Sequence, residues 1–139
     1  EWNYAAAGGA EQRYYPWSSP ATNTTIDGTY AVYYCIGDGS AIGDCGFSDI
    51  FSVGSRSPKG DSLWGQADLA GSMWEWNLDW DATYVNPCNN CTNLFSASYR
   101  VMRGGGWNNI AFRLRAAYRA GYAPASRNLS LGFRCARTP

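Results

Sequence analysis

The chain is 139 residues long, enough for one small domain, and its 11 basic side chains balance 11 acidic ones, so it lacks the positive field that nucleic acids and anionic lipids attract. It has no histidine, which excludes Ser-His-Asp and Cys-His catalysis within the chain and histidine-bound zinc or iron. Sixteen glycines, six prolines, seven tryptophans and ten tyrosines describe a loop-rich fold with a core of aromatic rings, and five cysteines point to an oxidising compartment with one thiol left unpaired.

Glu1 to Ala7 reads as helix, stopped by Gly8-Gly9, and nothing before Glu1 caps it. We therefore expect residues 1–139 to be the C-terminal portion of a single domain whose N-terminal part lies outside the chain. Glu1-Trp2-Asn3-Tyr4 is no signal peptide, and no apolar run is long enough to cross a bilayer. Tyr14 to Lys59 is mostly Ser, Thr, Gly, Asp and Pro around a short apolar stretch at Tyr30 to Tyr34, which predicts loops pinned by cross-links. Three later segments alternate with the period of a strand. In Met73 to Trp80, the side chains of Trp74, Trp76, Leu78 and Trp80 share one face, and Glu75, Asn77 and Asp79 the other. Tyr99 to Arg103 runs into Gly104-Gly105-Gly106, and Leu131 to Ala136 places Leu131, Phe133 and Cys135 on one side, facing the core. Helix is a minor fraction.

Cys35 and Cys45 flank a Gly- and Asp-rich loop, and a bridge between them would stabilise the fold by roughly 2–3 kcal/mol. Cys88 and Cys91 have the spacing of a redox pair or half a zinc site, but no helix pattern follows and no second pair lies nearby, which favours a structural disulfide. Cys135 is then the odd thiol, and its mate is expected in the missing N-terminal part. Glu75 and Asp79 are about 13 Å apart on a strand, too far for a glycosidase pair. Asp68-Leu69-Ala70-Gly71-Ser72-Met73-Trp74-Glu75 brackets a glycine turn with two carboxylates and could wrap a calcium ion. Equally, Asp68 could cap a turn and Glu75 pair with an arginine. Asn23, Asn90 and Asn128 each begin an Asn-x-Ser/Thr sequon.

Gly65 to Trp76, then Arg100-Val101-Met102-Arg103-Gly104-Gly105-Gly106-Trp107, and finally Leu131-Gly132-Phe133-Arg134 resemble the formylglycine-generating enzyme, or sulfatase-modifying factor, family. Glu1 to Ala6 with Gly8-Gly9, and Tyr15-Pro16-Trp17, match it too. The resemblance implies an α+β, irregular, C-type-lectin-related fold with little regular secondary structure. It implies calcium at Asp68 and Glu75 by side chain and at Gly71 and Met73 by carbonyl. A first calcium site, at about Val32 and Cys45, is lost, and the Cys35–Cys45 bridge is expected to replace it. The enzymes hold copper with two cysteines just after the Arg-Gly-Gly motif. Here that stretch is Asn108 to Leu114, with Asn109 at the first ligand position, and amides do not replace thiolates on copper(I), so no copper is expected. Where the enzymes place a cysteine that can bridge to the Cys135 equivalent, this chain has Ala6.

These readings lead to a non-catalytic secreted, cell-surface or periplasmic module that binds a ligand or serves a structural role. Its candidate face is Asn108, Asn109, Phe112, Arg113, Tyr118, Arg119, Tyr122 and Arg127, a mixture of arginine and aromatic residues. Arg115 and Arg119 could instead be internal pairing or packing residues. The expected partner is a protein, a glycan or further copies of the chain. The alternative is a metal-dependent oxidoreductase whose active site is completed by the missing N-terminal part.

Overall fold

A computed structural model describes residues 1–37, 45–85, 87 and 92–136. Cys88, Cys91 and Asn90 lie outside these residues. The helix at the start is α1 (Trp2–Ala6). It ends because Gly8 takes a left-handed φ of 64°, a conformation that glycine adopts without a Cβ penalty. Leu69 and Ala116 pack against the buried Ala6 and Ala7.

Four strands form one mixed sheet: β1 (Trp74–Trp80), β2 (Arg100–Arg103), β3 (Ala120–Tyr122) and β4 (Leu131–Gly132). Their spatial order is β3-β2-β1-β4; β1–β2 and β2–β3 are antiparallel, and β1–β4 is parallel. Residues directly opposite share a face, so Glu75 and Arg103 lie on the side covered by α1, and Trp74, Met102, Ala120 and Leu131 on the other. The first two expected strands are present. The third is shorter than its alternation suggests, because β4 ends at Gly132 and both Phe133 and Cys135 are exposed. Cys135 therefore does not face the core, and among the described residues it is a free thiol.

The pairing of β1 with β2 is interrupted. Between Trp76 and Trp80 the register with β2 shifts, and such a bulge bends and twists the strand. Leu78 is left 66% exposed. After the shift Trp80 pairs with Arg100, and the Arg100 guanidinium stacks 3.9 Å from the Trp80 ring centroid.

The core is aromatic, as composition suggests. Trp17 stacks between Tyr15 and Tyr30 at 5.0 and 5.4 Å, over Ala31, Ala70 and Leu114. Burial pushes the Tyr15 phenol up to about 12, with a smaller push from Tyr14 and Tyr33. The segment from 14 to 59 contains one short 3-10 helix, Phe47–Asp49, and otherwise no regular element among its described residues. It is stapled by the Cys35–Cys45 disulfide, with Cα atoms 4.8 Å apart. The fully buried Asp49 fastens both ends of the same loop: Oδ1 accepts the Gly37 N–H and Oδ2 the Gly46 N–H, each at 2.9 Å.

Candidate functional site

A cleft of about 360 Å³ opens on the sheet face away from α1. Trp74, Met102 and Leu131 line it from three adjacent strands, and Tyr122 closes the β3 side. One rim follows directly from β2. Gly104 and Gly105 carry φ of 93° and 72°, which turns the chain out of the strand. A Cβ on Gly106 would sit 3.0 Å from Ser130 Cβ and 3.3 Å from Trp74 Cδ1, so a glycine is needed for the two rims to approach. The chain then presents Asn108 and Asn109, and the 3-10 helix Ala111–Leu114 buries Leu114 and places Arg113 at the cleft. Opposite stand Asn128 and Ser130.

The rim is tied to the disulfide. Cys35 N–H donates to the Trp107 carbonyl at 3.0 Å and Tyr34 N–H to that of Asn109 at 2.9 Å. The staple near the surface thus fixes the position of the cleft wall.

The polar groups have a defined orientation. Asn109 Oδ1 accepts the Gly106 N–H at 2.9 Å. Asn128 Oδ1 accepts both the N–H and the hydroxyl of Ser130 at 2.9 and 3.0 Å. Because an N–H can only donate, each amide oxygen is assigned and each NH2 is left free to donate.

Of the expected ligand face, the structure gathers Asn108, Asn109, Arg113 and Tyr122 in this cleft. Phe112 and Tyr118 pack edge to face beside it, and the Arg115 guanidinium lies 3.5 Å from the Phe112 centroid. Arg119 belongs elsewhere: it donates to the Ala82 carbonyl at 2.6 Å, pairs with Asp81 at 3.6 Å and stacks on Tyr84, on the α1 side of the sheet. The pairing reading holds for it because β3 starts at the next residue and its alternation carries Arg119 to the other face. Arg127 folds back onto the carbonyls of Ala125 and Ser126. Trp74, Met102, Asn128, Ser130 and Leu131 were not anticipated as cleft residues. The Asn128-Leu129-Ser130 sequence was the available signal, since Asn with Ser two residues on favours a side-chain turn of this kind.

On the α1 side lies a second cleft of about 270 Å³. In it Arg103 donates to the Tyr118 carbonyl and Tyr84 hydroxyl at 3.3 and 2.9 Å, and Asp79 accepts the Asn93 N–H at 2.7 Å.

Next to it is Glu75, 7% exposed. Arg134 grips the Glu75 carboxylate through Nε at 2.7–2.8 Å and Nη2 at 2.5 Å, and Trp2 Nε1 donates at 2.5 Å. Four contacts use the roughly four lone-pair positions of a carboxylate. Arg134 Nη2 also reaches the Asp68 carbonyl at 3.0 Å, and Asp68 Oδ2 accepts the Gly54 N–H at 2.6 Å. A calcium ion held by Asp68, Gly71, Met73 and Glu75 would have to displace Arg134 from the Glu75 oxygens and the Gly54 N–H from Asp68. The open cleft does not fit copper. Among the described residues its lining holds no thiolate or imidazole, and the one soft donor among them is the buried thioether of Met102.

A small curled mixed sheet, little helix and long pinned loops bearing a cleft at the Arg-Gly-Gly rim define a C-type-lectin-like scaffold. The chain belongs to the sulfatase-modifying factor family: the description "Sulfatase-modifying factor enzyme 1-like domain" matches residues 1–139. A formylglycine-generating enzyme of Streptomyces coelicolor is 33% identical over 98% of this chain and 44% of its own length. The inactive C-alpha-formylglycine-generating enzyme 2 of Bos taurus is 31% identical over 98% of the chain and 40% of its own length. The solved structure of Treponema denticola variable protein 1 superposes with a TM-score of 0.72 at 28% identity, covering 96% of this chain and 43% of that one. The chain thus spans less than half the length of these relatives. Among the described residues, no helix is long and apolar enough to cross a membrane.

Proposed function

We propose that this chain is a non-catalytic, ligand-binding part of a sulfatase-modifying factor domain working outside the cytoplasm. The observation that carries the reading is the cleft at the Arg-Gly-Gly rim: its lining combines amides, one arginine and aromatic rings, with Asn109 where the family's enzymes are expected to hold copper. Such a surface can recognise a ligand by donated hydrogen bonds and ring contacts. Among the described residues it has no thiolate or imidazole to hold a redox metal. That a relative is described as inactive supports the same view.

In this reading the ion-binding role at Glu75 passes to Arg134, whose guanidinium supplies the positive charge that calcium would bring, and the Cys35–Cys45 bridge takes over at the first calcium site. The disulfide and the cysteine content support an extracytoplasmic setting. The expected ligand is a protein or a glycan.

The test is to incubate the chain with copper, oxygen and a cysteine-containing peptide and to follow the peptide by mass spectrometry. The peptide cysteine is expected to remain unmodified; copper-dependent conversion to an aldehyde would overturn the reading. A second reading, an oxidoreductase completed by residues outside this chain, draws on the less-than-half coverage of the enzymes. Copper-dependent turnover by a longer form of the protein, but not by this one, would favour it.

A further inference from the structure

Every described arginine but one is engaged within the molecule. Arg13 pairs with Glu11, Arg56 stacks on Phe51, Arg100 on Trp80 and Arg115 on Phe112; Arg103, Arg119, Arg127 and Arg134 hydrogen bond as set out above. Arg113 makes no hydrogen bond, ion pair or ring contact among the described residues. It stands in the open cleft, and among the described residues no aspartate or glutamate lines that cleft.

The neighbouring amides reinforce this charge. With Oδ1 of Asn109 and Asn128 held by N–H and O–H donors, both present an NH2 group that has no partner among the described residues. The cleft therefore offers a guanidinium fork and two amide donors. It offers few acceptors. Its side wall is Tyr122, 40% exposed, a ring suited to the body of a ligand whose polar end is held by the donors.

We infer that the cleft binds a carboxylate-bearing ligand, through Arg113 and the side-chain amides of Asn109 and Asn128. This rests on the cleft being a ligand site. A carboxylate matches because one guanidinium balances one unit charge, and its planar fork pairs with two carboxylate oxygens at once. The carboxylate can belong to an acidic sugar or to a peptide C-terminus. The volume of about 360 Å³ is at the small end of ligand pockets, and it accommodates one sugar or one amino-acid residue.

The test uses the full chain, made in a host that does not glycosylate Asn128, with the side-chain amide signals of Asn109 and Asn128 followed by NMR. Four probes are titrated: glucuronate and glucose, and acetyl-glycyl-tyrosine and its C-terminal amide. At least one acid is expected to shift both amides and to bind at least about ten-fold more tightly than its neutral twin. The responding acid identifies the source. In Arg113→Gln that ten-fold preference is expected to vanish while Tm stays within about 1 °C of the parent. Silence from both acids up to about 10 mM, or an acid preference that survives in Arg113→Gln, overturns the inference. Equal shifts by acid and neutral twins overturn the carboxylate claim but leave the cleft a binding site. Copper-dependent peptide oxidation would instead remove the binding reading itself.

Discussion

The two faces of the sheet treat their charges in opposite ways. On the α1 side, Glu75, Arg134, Arg103, Arg119 and Asp81 are engaged with one another or with main-chain carbonyls. On the other side, Arg113 and the NH2 groups of two asparagines face the cleft with no partner among the described residues. The first arrangement holds the fold together. The second contributes little to it, and so is available to a ligand. The contrast matters because both faces show arginine and aromatic residues in the sequence, and only the count of partners separates them.

The contrast is broken most forcefully at Glu75. Replacing it by alanine leaves Arg134 and Trp2 without their buried acceptor, and losing these charged hydrogen bonds costs about 3 kcal/mol, a Tm loss on the order of 10 °C by calorimetry. Adding calcium to the parent chain is expected to leave its Tm unchanged; a rise of several degrees would show that the ion displaces Arg134.

A slightly smaller effect comes from Tyr15, whose pKa is raised from 10.0 to about 12. A raised folded-state pKa means that its stabilising contribution is complete below pH 10 and is lost as pH climbs from 10 to about 12. Absorbance titration of the tyrosines should show a late phenol that is absent in Tyr15→Phe; identical titrations of parent and Tyr15→Phe at high pH would contradict this. Smaller again is removal of the Cys35–Cys45 bridge. Cys35→Ser with Cys45→Ser should cost roughly 2–3 kcal/mol by the loop-entropy model. Because Cys35 and Tyr34 hold the 107–109 rim, the same variant should broaden the Asn109 amide signal in NMR.

Much of this was legible in the sequence. The strand period of Met73 to Trp80, the glycine run after Arg103, the aromatic core and the Cys35–Cys45 staple all arise from local pattern or spacing. That Glu75 could pair with an arginine was visible, but which arginine was not, since Arg134 lies 59 residues away. β3 was missed because Ala120-Gly121-Tyr122 is too short to show alternation, and its pairing is dictated by Arg100, Val101 and Met102. Cys135 was misplaced because alternation was read past Gly132, where pairing with β1 has ended. The far wall of the cleft was hidden for a related reason: Asn128 and Ser130 meet Asn109 only once β4 has docked beside Trp74.

The most direct test sets two arginines against each other by measuring the Tm of Arg134→Gln and Arg113→Gln in one buffer. Loss of the buried pair should lower the Arg134→Gln transition by several degrees, and the Arg113→Gln transition should stay within about 1 °C of the parent. An Arg113→Gln loss equal to or larger than that of Arg134→Gln would mean that Arg113 is a structural group, and the division between a self-satisfied face and a ligand-ready face would fail.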